Sequence, residues 1–192
     1  MSDLIAPQVV RENVLWNKYR KIVVEKTFLL PNGTTTEYLL WGGTTVPSII
    51  FPVVFTKTGV HVLAERQFRY GANEFVIEVP GGNPHDGEGA EDVAIAELLE
   101  ETGYKAEKMI RLGGTAPLWF EPAAAITPFI PMLAWGCKKV AEPQRDADEI
   151  MDTLLIPLAE WKQMIRDGRI RDAKTIAMTM MAILYFEERR IF

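Results

Sequence analysis

The sequence is poor in the residues that cross-link a chain or bind soft metals: its 192 residues include one cysteine and two histidines. A single cysteine, Cys137, excludes an internal disulfide and a thiolate metal cluster, and it fits a reducing compartment. Basic residues are also in deficit, because 21 Lys and Arg stand against 26 Asp and Glu, a formal net charge of −5. That balance lacks the broad basic surface of a nucleic-acid-binding protein.

Long hydrophobic runs and targeting signals are missing as well. The longest apolar stretch, Pro122 to Cys137, contains three prolines and is shorter than the roughly 20 residues that span a bilayer. The first seven residues show no basic segment leading into an apolar one. With 48% hydrophobic and 24% charged residues, the composition is that of a globular protein. We expect a soluble cytoplasmic protein with no membrane and no nucleic-acid partner.

The hydrophobic pattern predicts an α/β chain with a small β-rich N-terminal part. Residues 19–30 and 34–41 flank the turn Pro31-Asn32-Gly33 and predict a hairpin. A hairpin alone is marginally stable, so it should pack on another element or on a partner subunit. Further strands are predicted at 49–56, 60–65, 74–79, 126–134 and 150–156, and helices at 91–102, 157–166 and 174–188. The prolines of 126–134 confine this strand to an edge of the sheet or themselves to strand ends.

The most informative segment runs from Gly81 to Tyr104, where a Gly/Pro/Asn/Asp loop leads directly into the helix 91–102. Helical spacing places Glu97, Glu100 and Glu101 on one face and predicts that the opposite, apolar face packs against the core. Three carboxylates near a helix C-terminus repel one another and oppose the helix dipole. A divalent cation such as Mg²⁺ would offset both effects, whereas the alternative is a solvated acidic helix face.

The spacing of this segment resembles the Nudix box, G-x5-E-x7-R-E-U-x-E-E-x-G-U, in which U is a bulky apolar residue. The matching positions are Gly82, Glu88, Glu97, Leu98, Glu100, Glu101, Gly103 and Tyr104. One position departs, because Ala96 stands where the family has an arginine that orients the catalytic glutamates. The ligand positions remain, so the departure bears on the rate more than on metal binding.

The flanking segments resemble the ADP-ribose and nucleoside-diphosphate-sugar pyrophosphatase branch of the Nudix family. Residues 65–70 are similar to its R-Q-x-R feature, and residues 75–82 to its E-x-P-A-G feature. Residues 121–127 lack the Gly and the later Glu of the branch's P-G-x-x-x-E loop. The resemblance implies a Nudix fold, a mixed β-sheet between helices, over residues 49–192. It also implies an N-terminal β-hairpin subdomain over 1–48 that helps to form a homodimer.

The resemblance assigns roles to individual residues. The metal ligands would be Glu97, Glu100, Glu101 and the backbone carbonyl of Gly81, and the ion Mg²⁺, with Mn²⁺ as the alternative. Glu100 and Glu149 are the candidate catalytic carboxylates, with Glu149 as general base on an acidic loop that could equally be a solvated one. Candidate substrate-binding residues are Arg66, Arg69 and Glu78. Both arginines could instead be surface residues, and Glu78 could bind a ribose hydroxyl or pair with Arg69.

The function implied by the resemblance is metal-dependent hydrolysis of the pyrophosphate linkage of a nucleoside diphosphate sugar. ADP-ribose is the first candidate substrate, with AMP and ribose 5-phosphate as products. Two alternatives stay open. One is a Nudix hydrolase of another nucleotide, either a dinucleotide or a nucleoside triphosphate. The other is a nucleotide-binding regulatory module with weakened catalysis, which the replacement of the box arginine by Ala96 would favour.

Overall fold

The protein was analysed as a computed structural model that describes residues 4–85, 87–145 and 149–191. It contains thirteen strands and three helices over these residues. The strands are β1 (Gln8–Lys18), β2 (Lys21–Leu29), β3 (Thr35–Gly43), β4 (Ser48–Thr56), β5 (Gly59–Arg69), β6 (Glu74–Glu78), β7 (Gly81–Gly82), β8 (Tyr104–Lys105), β9 (Lys108–Arg111), β10 (Leu118–Trp119), β11 (Pro128–Trp135), β12 (Lys138–Lys139) and β13 (Met151–Pro157). The helices are α1 (Ala90–Thr102), α2 (Leu158–Arg166) and α3 (Ala173–Glu188). None of these three helices, within the described ranges, is long and apolar enough to cross a membrane.

The chain divides into two compact units. The first comprises the described residues up to Val46 together with Trp119–Pro128, and the second comprises Pro47–Leu118 with the described residues from Phe129 onward. The first unit holds an antiparallel sheet in the order β1-β2-β3. The predicted hairpin is present as β2 and β3, and β1 is an additional strand. Every residue of β1 is exposed, and its apolar residues are grouped at 9–10 and 14–16 instead of alternating with polar ones, so the pattern did not predict this strand.

The second unit is built on a mixed sheet whose main path runs β11-β4-β5-β13. Strand β4 shows how the sheet is buried on both sides: Phe51 and Val53 contribute to one hydrophobic cluster, and Ile50 and Val54 to another. Alternate residues of a strand point to opposite faces. Helices α2 and α3 cover the first cluster through Trp161 and other residues, while α1 covers the second. The predicted mixed sheet between helices is therefore confirmed.

The prolines of residues 126–134 predict an edge strand or prolines at strand ends. Pro128 is the first residue of β11, which fits the second alternative, whereas Pro131 lies inside the strand and the strand is not at an edge. Strand β11 lies between β4, with which it pairs in parallel, and β9, with which it pairs antiparallel. The Ile130 N–H donates to the carbonyl of Pro47, so the nitrogen of Pro131 faces the opposite neighbour. There Pro131 lies opposite Leu112, just beyond the end of β9, and its carbonyl still accepts from Leu112 N–H. Proline has no N–H to donate, and at Pro131 this missing donor lies just beyond the last residue pair of β11 and β9.

Helix α1 begins and ends close to its predicted bounds, and its C-terminus is closed by Gly103. That residue has φ of 75° and donates its N–H to the carbonyl of Leu99, the left-handed conformation that glycine adopts without strain. The loop that follows β12 then packs against this end of the helix. Gln144 N–H donates to the carbonyl of Glu100 at 2.7 Å, so α1 and the segment leading to β13 are held together.

Candidate active site

One row of side chains across three strands forms the floor of the site. In the antiparallel register, Glu65 of β5 lies opposite Glu78 of β6 and opposite Thr153 of β13. Directly opposed residues share a face of the sheet, and Glu65 lies two residues from Leu63, which packs in the cluster beneath α1. Glu65 and Glu78 are 1% and 2% exposed. The sheet therefore presents two buried carboxylates and a hydroxyl toward α1.

Helix α1 adds further carboxylates on the side of the sheet that it covers, but the side of the helix that packs on the sheet differs from the predicted one. The sequence placed Ile95, Leu98 and Leu99 on a packed face opposite the glutamates. In the structure Leu98 is buried, but Ile95 and Leu99 are 41% and 37% exposed, and Glu101 is buried with 5% exposure. Leu98 and Glu101 are three residues apart and share the side that faces the sheet. One glutamate of the box thus lies inside the fold rather than on an outer acidic face.

The glycine pair Gly81-Gly82 gives the carboxylates room. Gly81 pairs with Ile49 in the sheet, and its N–H donates to Glu101 Oε2 at 3.1 Å. A Cβ atom on Gly82 would overlap the carboxylate of Glu97, and one on Gly81 would lie 2.5 Å from the backbone carbonyl oxygen of Ser48. Glycine at position 82 therefore lets the backbone approach Glu97 closely, which explains the first fixed position of the motif, and glycine at position 81 lets the backbone pass close to Ser48.

The electrostatics of the cluster follow from this crowding. Burial, and next the charge of Glu78, raises the pKa of Glu65 to about 8, although Arg69 and Arg145 act in the opposite direction. Burial also raises the pKa of Glu101 well above its usual value, and the charges of Glu65, Glu97 and Glu149 add to the effect. Like charges in a desolvated site disfavour ionisation of each other. The cluster therefore has a strong affinity for positive charge, whether a proton or a cation.

The predicted substrate-binding residues occupy two different settings. Arg69 donates through Nε to Glu78 Oε1 at 2.5 Å, and Lys174 Nζ lies 3.9 Å from the other oxygen of Glu78. Burial and these contacts make Glu78 a partner of Arg69 rather than a group exposed to a ribose. Arg66 is exposed, pairs with Asp152 at 2.9 Å and lies over the ring of Phe75.

The remaining predicted site residues, Glu97, Glu100 and Glu149, differ in their burial. Glu149 is half-buried, and its charge raises the pKa of both Glu65 and Glu101; the structure thus brings Glu149 toward the cluster. Glu97 is also half-buried, whereas Glu100 is exposed and its backbone carbonyl accepts from Gln144 N–H. The Glu100 side chain thus lies on the solvent side of the helix, in contrast to the buried Glu101.

Two residues of the site were not identified from the sequence. Glu65 carries a detectable signal, because a charged residue that directly follows the apolar run 60–64 on a strand with buried neighbours is unusual. Arg145 carries none: it lies 44 positions from Glu101 in a loop, and only the fold brings its Nε within 3.1 Å of the Glu101 carbonyl oxygen.

The donor chemistry of this cluster fits a hard divalent cation. Among the described residues, no three His, Cys, Asp or Glu side chains converge tightly enough to enclose a metal ion as they stand. The buried Glu65 Oε1, however, has no hydrogen-bond partner in the described part of the chain. An orphaned buried carboxylate oxygen is costly unless a proton or a cation satisfies it, and carboxylate and carbonyl oxygens are the ligands that Mg²⁺ takes.

Comparison with known proteins agrees with this geometry. Residues 46–178 match the model of the NUDIX domain family. The chain is 32% identical over 178 residues to the methanol dehydrogenase activator of Bacillus methanolicus, covering 92% of each chain. It is 26% identical over 176 residues to the ADP-ribose pyrophosphatase of Bacillus subtilis (strain 168), covering 91% of each. A shorter match, 30% over 97 residues, is to the GDP-mannose pyrophosphatase of Yersinia pestis (strain Pestoides F), covering 47% of this chain and 45% of that protein.

A solved structure shows the same fold. The crystal structure of an ADP compounds hydrolase superposes with a TM-score of 0.82 at 17% identity, covering 98% of both chains. This structure confirms the fold, and the sequence relative named ADP-ribose pyrophosphatase agrees with the branch that residues 65–70 and 75–82 indicated. The family match covers more than half of the chain and contains the whole glycine and glutamate constellation of the site. The chain therefore belongs to the Nudix family, and it is a pyrophosphohydrolase.

Proposed function

We propose that this enzyme hydrolyses the pyrophosphate linkage of a nucleoside diphosphate sugar, with ADP-ribose as first substrate and AMP and ribose 5-phosphate as products. The observation that carries the proposal is the meeting of Glu97 and Glu101 with the backbone of Gly81-Gly82, above the buried Glu65. A pyrophosphate is anionic and repels an attacking water, so its hydrolysis needs such a concentrated site for cations. Relatives named ADP-ribose pyrophosphatase and GDP-mannose pyrophosphatase support the substrate class.

The residues proposed to hold the ion are Glu97, Glu101 and the carbonyl of Gly81, with Glu65 as a further oxygen donor. Mg²⁺ is the expected ion, and Mn²⁺ the alternative. When bound, such a cation neutralises phosphate charge and lowers the pKa of a bound water. Glu100 was predicted as a fourth ligand and as a catalytic group. Its exposed side chain gives it at most an outer position in this proposal.

The chain's own residues then have separable tasks. Arg69 is held by Glu78 and would present its remaining N–H groups to a phosphate, the planar contact for which a guanidinium is suited. Arg66 would make a second, more exposed phosphate contact. Glu149 is the proposed general base, because its half-buried carboxylate lies near Glu65 and Glu101 and could accept the proton of the attacking water.

The substitution Glu101→Gln tests the assignment. It keeps the shape of the side chain and removes the charge that binds a cation, so we expect the turnover number to fall by about two orders of magnitude or more. The measurement is release of phosphomonoester from a panel of nucleotide sugars, dinucleotides and nucleoside triphosphates, with Mg²⁺ or Mn²⁺ and with chelator. Products are identified by mass, and ADP-ribose should be the best substrate.

The matched control is Glu91→Gln, which removes a carboxylate from the same helix at an exposed position and should leave turnover unchanged. Glu101→Gln should remain folded, because the change also removes a buried charge. Full activity in the presence of chelator, or full activity of Glu101→Gln, would contradict the metal-dependent mechanism. A dinucleotide or a nucleoside triphosphate as the best substrate would replace the substrate assignment and leave the mechanism standing.

A second candidate function is a regulatory Nudix module. Two observations favour it: Ala96 replaces the box arginine, and the relative at 32% identity is named an activator of methanol dehydrogenase. In that case the protein would bind a nucleotide and hydrolyse it slowly, and its effect would depend on a partner enzyme. Turnover of every substrate in the panel near the rate of Glu101→Gln, with nucleotide binding intact by calorimetry, would favour this function.

We propose a homodimer formed through the N-terminal subdomain, predicted at residues 1–48, with the Nudix domain at 49–192. The exposed strand β1 supports an interaction surface in that subdomain. A cytoplasmic location stays a prediction of the sequence, as does the absence of membrane and nucleic-acid partners.

A further inference from the structure

Arg145 makes three hydrogen bonds that join two elements of the site. Its Nε donates to the carbonyl oxygen of Glu101 at 3.1 Å, its Nη1 to the carbonyl oxygen of Met151 at 2.9 Å, and its Nη2 to Thr153 Oγ1 at 2.6 Å. All three nitrogens of the guanidinium are used, and its planar fork sets the directions of the bonds. The C-terminal end of α1 is thereby fixed to the first residues of β13.

The bond to Glu101 holds that residue from its backbone side. The last carbonyls of a helix have no partner within the helix, and a positive charge there interacts favourably with the helix dipole. The carboxylate of the same residue accepts from Gly81 N–H. Glu101 is therefore held at both ends, by Gly81 through the side chain and by Arg145 through the main chain.

The same contacts join the described residues on either side of Glu149. Arg145 precedes this residue and Met151 and Thr153 follow it, so the bonds from Arg145 to Met151 and Thr153 bring the two sides of Glu149 together. Thr153 also lies directly opposite Glu65 in the sheet. One guanidinium thus sets the spacing between Glu101, Glu65 and the segment of Glu149.

The charge of Arg145 is also needed at this place. Helix α1 carries five acidic residues, Glu91, Asp92, Glu97, Glu100 and Glu101, and no basic one. Arg69 lies near the cluster and forms an ion pair with Glu78. The three hydrogen bonds of Arg145 described above go to uncharged oxygen atoms. Its positive charge lowers the pKa of Glu65, as expected for a cation that faces the carboxylates.

We propose that Arg145 is a positioning residue that aligns Glu101 and Glu149 for the hydrolysis without touching the substrate. The proposal rests on the function proposed above, because it assigns Arg145 to the same carboxylate site. It also explains how the site is organised while the box position 96 holds an alanine: the orienting cation comes from the loop before β13 instead of from α1.

The experiment compares Arg145→Ala and Arg145→Lys with the wild-type enzyme in steady-state kinetics and in Mn²⁺ binding followed by electron paramagnetic resonance. We expect the turnover number to fall by about tenfold or more in both variants with little change in KM, because an ammonium cannot reach three acceptors at once. Mn²⁺ should bind more weakly to Arg145→Ala in the absence of substrate. Guanidinium added at non-denaturing concentration should partly restore the turnover of Arg145→Ala.

The matched control is Arg111→Ala. Arg111 is the last residue of β9, and its side chain donates to the backbone carbonyl of Thr115. The substitution should leave turnover and Mn²⁺ affinity unchanged. A raised KM with unchanged turnover in Arg145→Ala would show a substrate contact and overturn the proposal. So would a lowered midpoint of unfolding with wild-type turnover and Mn²⁺ affinity.

The Mn²⁺ measurement separates this proposal from the proposed function. If the wild-type protein hydrolyses no substrate of the panel, the proposed function fails, and metal affinity still decides the role of Arg145. Weaker Mn²⁺ binding by Arg145→Ala than by Arg111→Ala would then support the alignment of the carboxylates. Equal binding would overturn it.

Discussion

At the scale of the single residue, the site depends on how buried carboxylates are compensated. Glu78 has Arg69 beside one oxygen and Lys174 near the other. Glu65, its neighbour across the sheet, has an oxygen without a hydrogen-bond partner among the described residues. Glu101 has the N–H of Gly81. The three glutamates are thus buried to a similar degree but differ in their hydrogen-bond and ion-pair partners. Glu65, which has an oxygen without a partner among the described residues, is the one best suited to receive a proton or a cation.

Ala96→Arg tests whether the loop arginine replaces the box arginine. Arg145 already holds Glu101, and Ala96 is half-buried, so a large side chain there would meet occupied space. We expect turnover on ADP-ribose to stay unchanged or to fall. A rise of about tenfold, which corresponds to about 1.4 kcal/mol of barrier, would contradict this expectation. In the background of Arg145→Ala, the same substitution should recover part of the lost rate.

Glu65→Gln tests the burial of an ionisable group. The pKa of Glu65 is raised to about 8 in the folded chain and is about 4.3 when unfolded. The metal-free folded protein therefore binds the proton more tightly than the unfolded chain does. The stability that this proton contributes is fully present below about pH 4.3 and is lost as the pH rises to about 8.

In chelator, the free energy of unfolding of Glu65→Gln should therefore fall less between pH 5 and pH 8 than that of the wild-type protein. Urea unfolding at a series of pH values measures the difference. Glu100→Gln is the control, because its carboxylate is exposed and its curve should run parallel to that of the wild type. A parallel curve for Glu65→Gln as well would show that Glu65 is not a desolvated acid.

At the scale of the element, helix α3 supports the site through its first turn. Asp172 caps the helix by accepting from Thr175 N–H at 2.9 Å, and it pairs with Lys174 at 2.6 Å. Thr175 Oγ1 in turn accepts from the N–H of Val79 at 3.0 Å, directly after Glu78 and two residues before Gly81. A displaced helix start would therefore shift the backbone that meets Glu101.

Asp172→Ala removes this cap. We expect a loss of about 0.5–2 kcal/mol in the free energy of unfolding, measured by urea denaturation at pH 7. Burial raises the pKa of Asp172, but the charge of Lys174 and the bonds from Thr175 outweigh it and leave the pKa below its usual value. The contribution is thus present above about pH 3.9, the unfolded value, and is lost as the pH falls through the lower folded value.

The control for this prediction is Asp167→Ala, which removes an exposed aspartate that bonds Arg169 at the end of α2. Exposed pairs of this kind contribute little to stability, so the unfolding curve should barely move. If Asp172→Ala were equally neutral, the cap would not be a stabilising element of α3.

At the scale of the whole molecule, strand β1 is one of the elements whose apolar side chains are exposed. It forms an edge of the N-terminal sheet, and its exposed apolar residues are Val9, Val10, Val14, Leu15 and Trp16. An edge strand with exposed apolar side chains is prone to pair with another chain. A second copy of the protein is the proposed partner.

We expect light scattering at micromolar concentration to give twice the 21.7 kDa of one chain. The double variant Val14→Glu and Leu15→Glu places two charges at exposed apolar positions of β1 and should shift the mass toward that of one chain. Val140→Glu, at an exposed apolar position of the other unit, is the control and should remain a dimer. A wild-type mass of one chain would refute the homodimer.

Local pattern determined much of this protein from the sequence alone. The spacing of glycines and glutamates identified the Nudix box, its helix and the class of chemistry, because a motif on one helix and its loop is contiguous in the chain. Runs rich in β-branched and aromatic residues, bounded by turn residues, predicted β2 to β6, β11 and β13, because such side chains favour strands. Strand β1 was not predicted because its apolar residues are grouped at 9–10 and 14–16 and do not alternate with polar ones.

The tertiary structure alone decided how the glutamates are used. A helical wheel relates residues to one another and not to the sheet, so it could not show that Glu101 points inward while Glu100 remains exposed. Strand β11 can lie inside the sheet because β9 ends just short of the position opposite Pro131, and that register joins segments that are distant in the sequence. Two further contacts likewise join distant segments. Glu65 lies opposite Glu78 and Thr153 in the sheet, and Arg145 donates to the carbonyl of Glu101. Such contacts arise only when the strands and α1 pack together, because burial and charge are properties of the assembled neighbours and not of the local sequence.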